Sequence, residues 1–141
     1  YLALSRFQSY NSPRTPVGLL TNDNASESIY QQYKGLVTTG LDDLNVGIFP
    51  PSFPNMQQHA LDIAKAGFTT YTQRYIVGST MDYDSDNSTP VITGWFNNQP
   101  YHGIPVALNL VHNAVLRSLS GQAYSLSIVN HPLPYTTDTL V

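Results

Sequence analysis

The chain has 141 residues, one domain's worth, of which 41% are hydrophobic, so it can bury a core and is not disordered by composition. Only 11% are charged, against roughly 25% in ordinary soluble domains. A net charge of −3 and six scattered Lys and Arg exclude the clustered cations that hold a nucleic-acid backbone. There is no cysteine, which rules out a disulfide framework, a thiolate zinc site and a Cys nucleophile. No apolar run approaches the roughly 20 residues of a membrane span, and no signal-peptide pattern opens the chain. Beginning at Tyr1, it reads as a processed chain or an excised piece.

In chain order, residues 1–16 read as an extended lead-in, since Asn11-Ser12-Pro13 and Thr15-Pro16 disfavour helix. Val17 to Leu20 predicts a short strand ending in the Thr21–Asn24 turn. Ser26 is placed to cap a helix running to about Leu41, with Ile29, Tyr33, Leu36 and Val37 at helical spacing and Gly40 as its stop. Leu44 to Phe49 alternates as a half-buried strand does. Ser52 or Asn55 then caps a second helix, with Met56, Ala60, Ile63 and Ala64 on its apolar face and Gly67 after its end. Thr69 to Val77, rich in Thr, Tyr, Ile and Val, predicts a strand. Gly78 to Thr89 reads as an acidic loop and Pro90 to Asn97 as the second strand of a long hairpin. His102 to Leu119 is the longest predicted helix, with Ile104, Leu108, Val111, Val115 and Leu119 as its buried stripe and Gly121 as its stop. Tyr124 to Val129 alternates as a last strand. The order β-α-β-α-β-β-α-β describes a single α/β (α+β) domain over residues 1–141, a mixed sheet with helices packed on it. Parallel pairing is expected across the first two helices and antiparallel pairing in the hairpin.

Asp82, Asp84 and Asp86 alternate like the first half of a calcium loop. The positions that need Gly and a bidentate Glu hold Asn87 and Thr93, so the segment reads as a solvated loop. His59, His102, His112 and His131 show no helical metal spacing, and structural or surface roles suit each. There is no nucleophile elbow, P-loop or dinucleotide fingerprint. No catalytic residue, metal site or cofactor is therefore assigned. Asn24-Ala25-Ser26 and Asn87-Ser88-Thr89 match the N-glycosylation acceptor pattern, and Pro90 weakens the second. The most unusual segment is Trp95 to His102, where large aromatics lead into an amide-rich turn and then a helix. It reads as a strand-to-helix corner pinned by aromatic packing, with Asn98 able to take left-handed backbone; a lipid or partner contact is the functional reading. Asn109 and Asn113, four apart with His112 beside them, read as the solvent face of the helix, or as an interface to another domain.

The run Gly94-Trp95-Phe96-Asn97-Asn98-Gln99-Pro100-Tyr101-His102, followed by Leu108-Asn109 and Asn113-Ala114-Val115-Leu116-Arg117, resembles the end of a large extracellular domain in the A subfamily of ABC transporters, the lipid exporters. An aromatic-aromatic-Asn-Asn-x-x-aromatic-His turn there precedes a Leu-Asn-x-x-x-Asn-Ala-aliphatic-Leu-Arg helix. Val129-Asn130-His131-Pro132-Leu133 resembles the segment just before that chain re-enters the membrane. The resemblance covers residues 90–135 well and the rest loosely. It implies a fragment of a larger extracellular domain, in an ATP-driven exporter whose transmembrane and nucleotide-binding domains lie outside this chain. The implied role is a non-catalytic, membrane-proximal module on the extracellular or lumenal side, contributing to passage or acceptance of a lipid or amphipathic substrate. Its implied partners are the other extracellular domain and the transmembrane helices, with no nucleic acid. Trp95, Phe96, Asn97, Asn98, Tyr101, His102, Asn109 and Asn113 carry the motif. The family's extracellular domains often hold disulfides; here either the Cys-bearing parts lie elsewhere or the member is a shorter variant. Two other readings stand beside it. One is a soluble extracytoplasmic domain binding a small ligand near Asn22 or Phe49. The other is an enzyme using His102 or His112 with an Asp.

Overall fold

A computed structural model describes residues 18–21, 26–39, 55–129 and 131. Its elements are β1 (Gly18–Thr21), α1 (Glu27–Thr39), α2 (Met56–Ala66), α3 (Phe68–Arg74), β2 (Val77–Asp84), β3 (Thr89–Phe96) and α4 (Gly103–Ser120). The three strands form one mixed sheet in the order β1-β2-β3. β2 pairs parallel with β1, Leu19 opposite Ser79, and antiparallel with β3, Met81 opposite Ile92. The mixed α/β class is the one expected from the sequence, and a parallel pair and an antiparallel hairpin are both present, but the strand they share is Val77–Asp84 rather than the expected Thr69–Val77. The expected strand at 44–49, the Gly40 stop and the sites at Asn22 and Phe49 lie outside the described residues.

α1 packs on α4 and β1, and α4 on β2 and β3. α1 contributes Ile29, Tyr33 and Val37 to the core, the spacing that puts one face of a helix inward. Ile76, Val77 and Met81 supply the sheet side, and Val106, Ala107 and Ala114 the α4 side. Ser26 links α1 to the sheet, its hydroxyl donating to the Asp82 carbonyl at 3.1 Å. α2 begins where the sequence indicates: the Asn55 side chain accepts from the Gln58 N–H at 2.7 Å, and the Gly67 N–H donates to Ile63 O at 3.0 Å.

Three expectations change. The residues expected to form a strand at Thr69–Val77 are mostly α3. Its Thr72 hydroxyl donates back to the Phe68 and Thr69 carbonyls, and Tyr71 stacks on Tyr75 with ring centroids 6.0 Å apart. Four-residue spacing brings those rings together on a helix and would not on a strand, so β-propensity yields to local pairing. The acidic "loop" from Gly78 is instead β2, the central strand, and only residues 85–88 turn. Its small polar residues hid it: Ser79 and Thr80 are buried because Ser79 Oγ donates to Thr93 O and the Trp95 indole donates to Thr80 Oγ1. Tyr124 to Val129 is not a strand but irregular, exposed chain held against α4.

The buried face of α4 is also rotated from the expected stripe. Gly103, Val106, Ala107, Asn113 and Ala114 are inside, whereas Ile104, Leu108 and Leu119 are exposed. Small side chains let α4 lie close to α1 and the sheet, as where Gly94 faces Val111 Cγ2.

Tyr33 is 0% exposed, and among the described residues its hydroxyl meets no hydrogen-bond partner. Burial pushes its pKa up. A buried, unsatisfied hydroxyl costs about 1–3 kcal/mol. Tyr33→Phe keeps the ring and removes that atom, so it is expected to stabilise the chain by about 1 kcal/mol, read as a higher urea midpoint at unchanged slope.

Candidate functional site at the strand-to-helix corner

The corner is assembled by Asn97 rather than Asn98. The Asn97 N–H donates to Ile76 O at 2.8 Å, its Nδ2 to Thr72 O at 2.7 Å, and its Oδ1 accepts from the Gln99 N–H at 2.9 Å. One residue thus joins the end of α3, the start of β2 and the turn into α4. Asn98 is exposed and does not take the left-handed backbone expected of it; among the described residues that conformation falls on Ser88 and Gly121. The turn then closes tightly, with the Gly103 N–H donating to Pro100 O at 2.9 Å. His102 is the half-buried residue that starts α4, its carbonyl accepting from the Val106 N–H at 3.1 Å. Tyr101 is 99% exposed.

Beside this corner lies an open groove between α2, α3 and the start of the hairpin. Met56 and Ile63 line one side, Tyr71 and Tyr75 another, and Trp95, Phe96 and Asn97 the sheet side. Trp95 lies across from Gly78, where no side chain blocks the ring, and its indole N–H is anchored on Thr80 at 3.2 Å. Phe96, opposite Val77, is 47% exposed. His59 also lines the groove, and burial lowers its pKa against a smaller opposing pull from Asp62. A groove walled by aromatics, with a few polar atoms at its rim, has the lining that apolar or amphipathic ligands fit.

Of the eight motif residues, the structure brings Trp95, Phe96 and Asn97 together on the groove, while Asn98 and Tyr101 are exposed in the turn that follows. Asn109 and Asn113 serve a different place. Asn113 is 4% exposed, not on the solvent face as the sequence suggests. Its Nδ2 donates to Asn109 O, Asn109 Oδ1 and Leu126 O at 2.8–2.9 Å, and its Oδ1 accepts from the Leu126 N–H at 2.8 Å. Arg117 Nε adds a bond to Tyr124 O at 3.2 Å. The Asn113 and Arg117 side chains thus stand in for a neighbouring strand along the segment that leaves α4. Sequence reasoning missed Tyr71, Tyr75, Met56 and Ile63 as groove residues; the four-residue spacing of the two tyrosines was the available signal.

The acidic segment is a turn. Asp84 Oδ1 accepts from the Asp86 N–H at 3.0 Å and Oδ2 from Asn87 Nδ2 at 2.7 Å, and these bonds, the Asn87 side chain's foremost, hold the Asp84 carboxyl below its usual range. Among the described residues no three His, Asp or Glu side chains converge as a metal site would require, and no helix is long and apolar enough to cross a membrane.

No protein-family model matches the chain. It is similar to ATP-binding cassette sub-family A member 17 of Rattus norvegicus, with 27% identity over 130 residues, 92% of this chain and 7% of that protein. Similarity to sub-family A member 7 of Rattus norvegicus is 28% over 146 residues, 86% of this chain and 7% of that protein. A shorter match, 37% over 67 residues, joins 48% of the chain to 4% of the phospholipid-transporting ATPase ABCA3 of Rattus norvegicus. The chain therefore spans about 7% of the length of the first two relatives. On these matches, the chain is similar along most of its length to one short segment of ATP-binding cassette sub-family A proteins, in agreement with the resemblance carried by the motif from Trp95 to Arg117.

Proposed function

We propose that this chain is a non-catalytic module on the extracellular or lumenal side of an ATP-driven exporter of lipids or other amphipathic molecules. It lies close to the membrane, with the remainder of the transporter as its partner. The observation that carries the reading is the coincidence of motif and groove: Trp95, Phe96 and Asn97, the residues of the subfamily-like turn, form the sheet side of the aromatic groove. The name of one relative, a phospholipid-transporting ATPase, agrees with an apolar ligand. The groove passes an acyl chain or a lipid edge over Tyr71, Tyr75 and Phe96, and nucleotide hydrolysis takes place elsewhere in the parent protein.

The test uses the full-length parent. Phe96 is half exposed, so Phe96→Asp puts a charge on the groove without emptying the core. Export of a fluorescent phospholipid is expected to fall at least several-fold with normal amounts of protein at the membrane. Val91→Asp, on β3 outside the groove, is expected to leave export unchanged. Equal export by both variants removes the groove from the transport route.

A further inference from the structure

We propose that Asn87 carries an N-linked glycan. The inference rests on the extracellular or lumenal placement above and adds a modified atom to it. Asn87-Ser88-Thr89 has the acceptor spacing, and the fold puts it where a sugar can stand in solvent. The β2–β3 hairpin closes Asp84 on Thr89, and residues 85–88 form its four-residue tip. Asn87, Ser88 and Thr89 are all exposed, and Ser88 has φ +51°, so the chain reverses sharply beside the asparagine. The side-chain amide is held outside the core by its own turn, through Asp84 Oδ2.

The other acceptor pattern differs. Its hydroxyl residue, Ser26, is 0% exposed and bonded to Asp82 O, so that serine is part of the core. The hairpin tip is also remote from the groove. Thr89 to Phe96 spans eight residues, which at roughly 3.3 Å per residue is about 25 Å. A glycan at one end of β3 thus leaves the corner at the other end open. Pro90 restrains Thr89 to extended backbone, which opposes the bend an acceptor asparagine needs toward its hydroxyl partner, so occupancy is partial and Pro90→Ala raises it.

In the transfer, a polyprenyl-diphosphate-linked oligosaccharide is the donor. The bond from Asn87 Nδ2 to the sugar C1 forms, and the C1–O bond to the diphosphate breaks. The lipid diphosphate leaves with the bonding pair, and Nδ2 gives up one of its two protons.

The experiment expresses the full-length parent in animal cells and compares its gel mobility before and after peptide-N-glycosidase. Asn87→Gln and Thr89→Ala are each expected to remove one step of mobility, while Thr89→Ser keeps it. Mass spectrometry after the enzyme is expected to find Asn87 converted to aspartate. Placement is read separately. Ser85→Cys in the parent, on the same exposed tip, adds a label site for a membrane-impermeant maleimide on intact cells, read as the gain in labelling over the unsubstituted parent. Loss of the step in both glycan-site variants supports the glycan. No step at Asn87, with the Ser85→Cys thiol labelled from outside, overturns the glycan and leaves the placement standing; no step and no labelling overturns both.

Discussion

Asn113→Leu is expected to destabilise the chain by about 2–3 kcal/mol, although it replaces a polar residue in a core helix by a good helix former. The side chain is buried and engages both ends of its amide, two hydrogens shared among three acceptors and the oxygen accepting from the Leu126 N–H. Removing it strips both backbone groups of Leu126 of their partners and leaves Arg117 to Tyr124 as the remaining side-chain tie to that segment among the described residues. Asn113→Asp should be no milder, because it keeps the acceptor for Leu126 N–H but sets a carboxylate oxygen against the Leu126 and Asn109 carbonyls. Hydrogen exchange separates the local effect from the global one: the Leu126 amide should lose protection in both variants under conditions where the α1 amides keep theirs. Unchanged protection at Leu126 would show that the segment is held by something else.

The second large effect is at Gly103. A Cβ there would lie 2.6 Å from Asn97 O, a backbone atom. Asn97 has little freedom to retreat, being fastened to Ile76, Thr72 and Gln99 at once. Gly103→Ala should therefore cost about 1–3 kcal/mol by forced displacement, and Gly103→Val more. The signature is local as well as global: the Tyr71–Tyr75 pair and Trp95 sit on elements that Asn97 joins, so the tryptophan emission should change before global unfolding. Asn98→Ala, by contrast, should be close to neutral, since Asn98 is exposed and the corner does not depend on its amide.

Several elements were legible because one strong local signal sufficed. Helical spacing of Ile29, Tyr33 and Val37 placed α1; the Asn55 cap and Gly67 stop bracketed α2; Gly121, at φ +95°, marked the end of α4. Other features depended on contacts that no local window contains. β2 looks like a polar loop until its pairing with β1 and β3 buries Ser79 and Thr80 between them. α3 carries strand-type residues, and only its ring stacking and Thr72 back-bonds explain the helix. The face of α4 turned because the sheet and α1 accept Val106, Ala107 and Ala114 more closely than Ile104 and Leu108. At the corner, the motif identified the right segment but not the division of labour, since the hydrogen bonds that distinguish Asn97 from Asn98 reach residues about 20–25 positions away.

Whether the corner of the subfamily-like motif walls a lipid-accepting groove is tested most directly by turning over the full-length parent with a photoactivatable phospholipid, irradiating, and mapping the adducts by mass spectrometry. Adducts on Tyr71, Tyr75 and Phe96 that depend on ATP are expected. Labelling elsewhere in the protein, with these three residues unmodified throughout turnover, would contradict it.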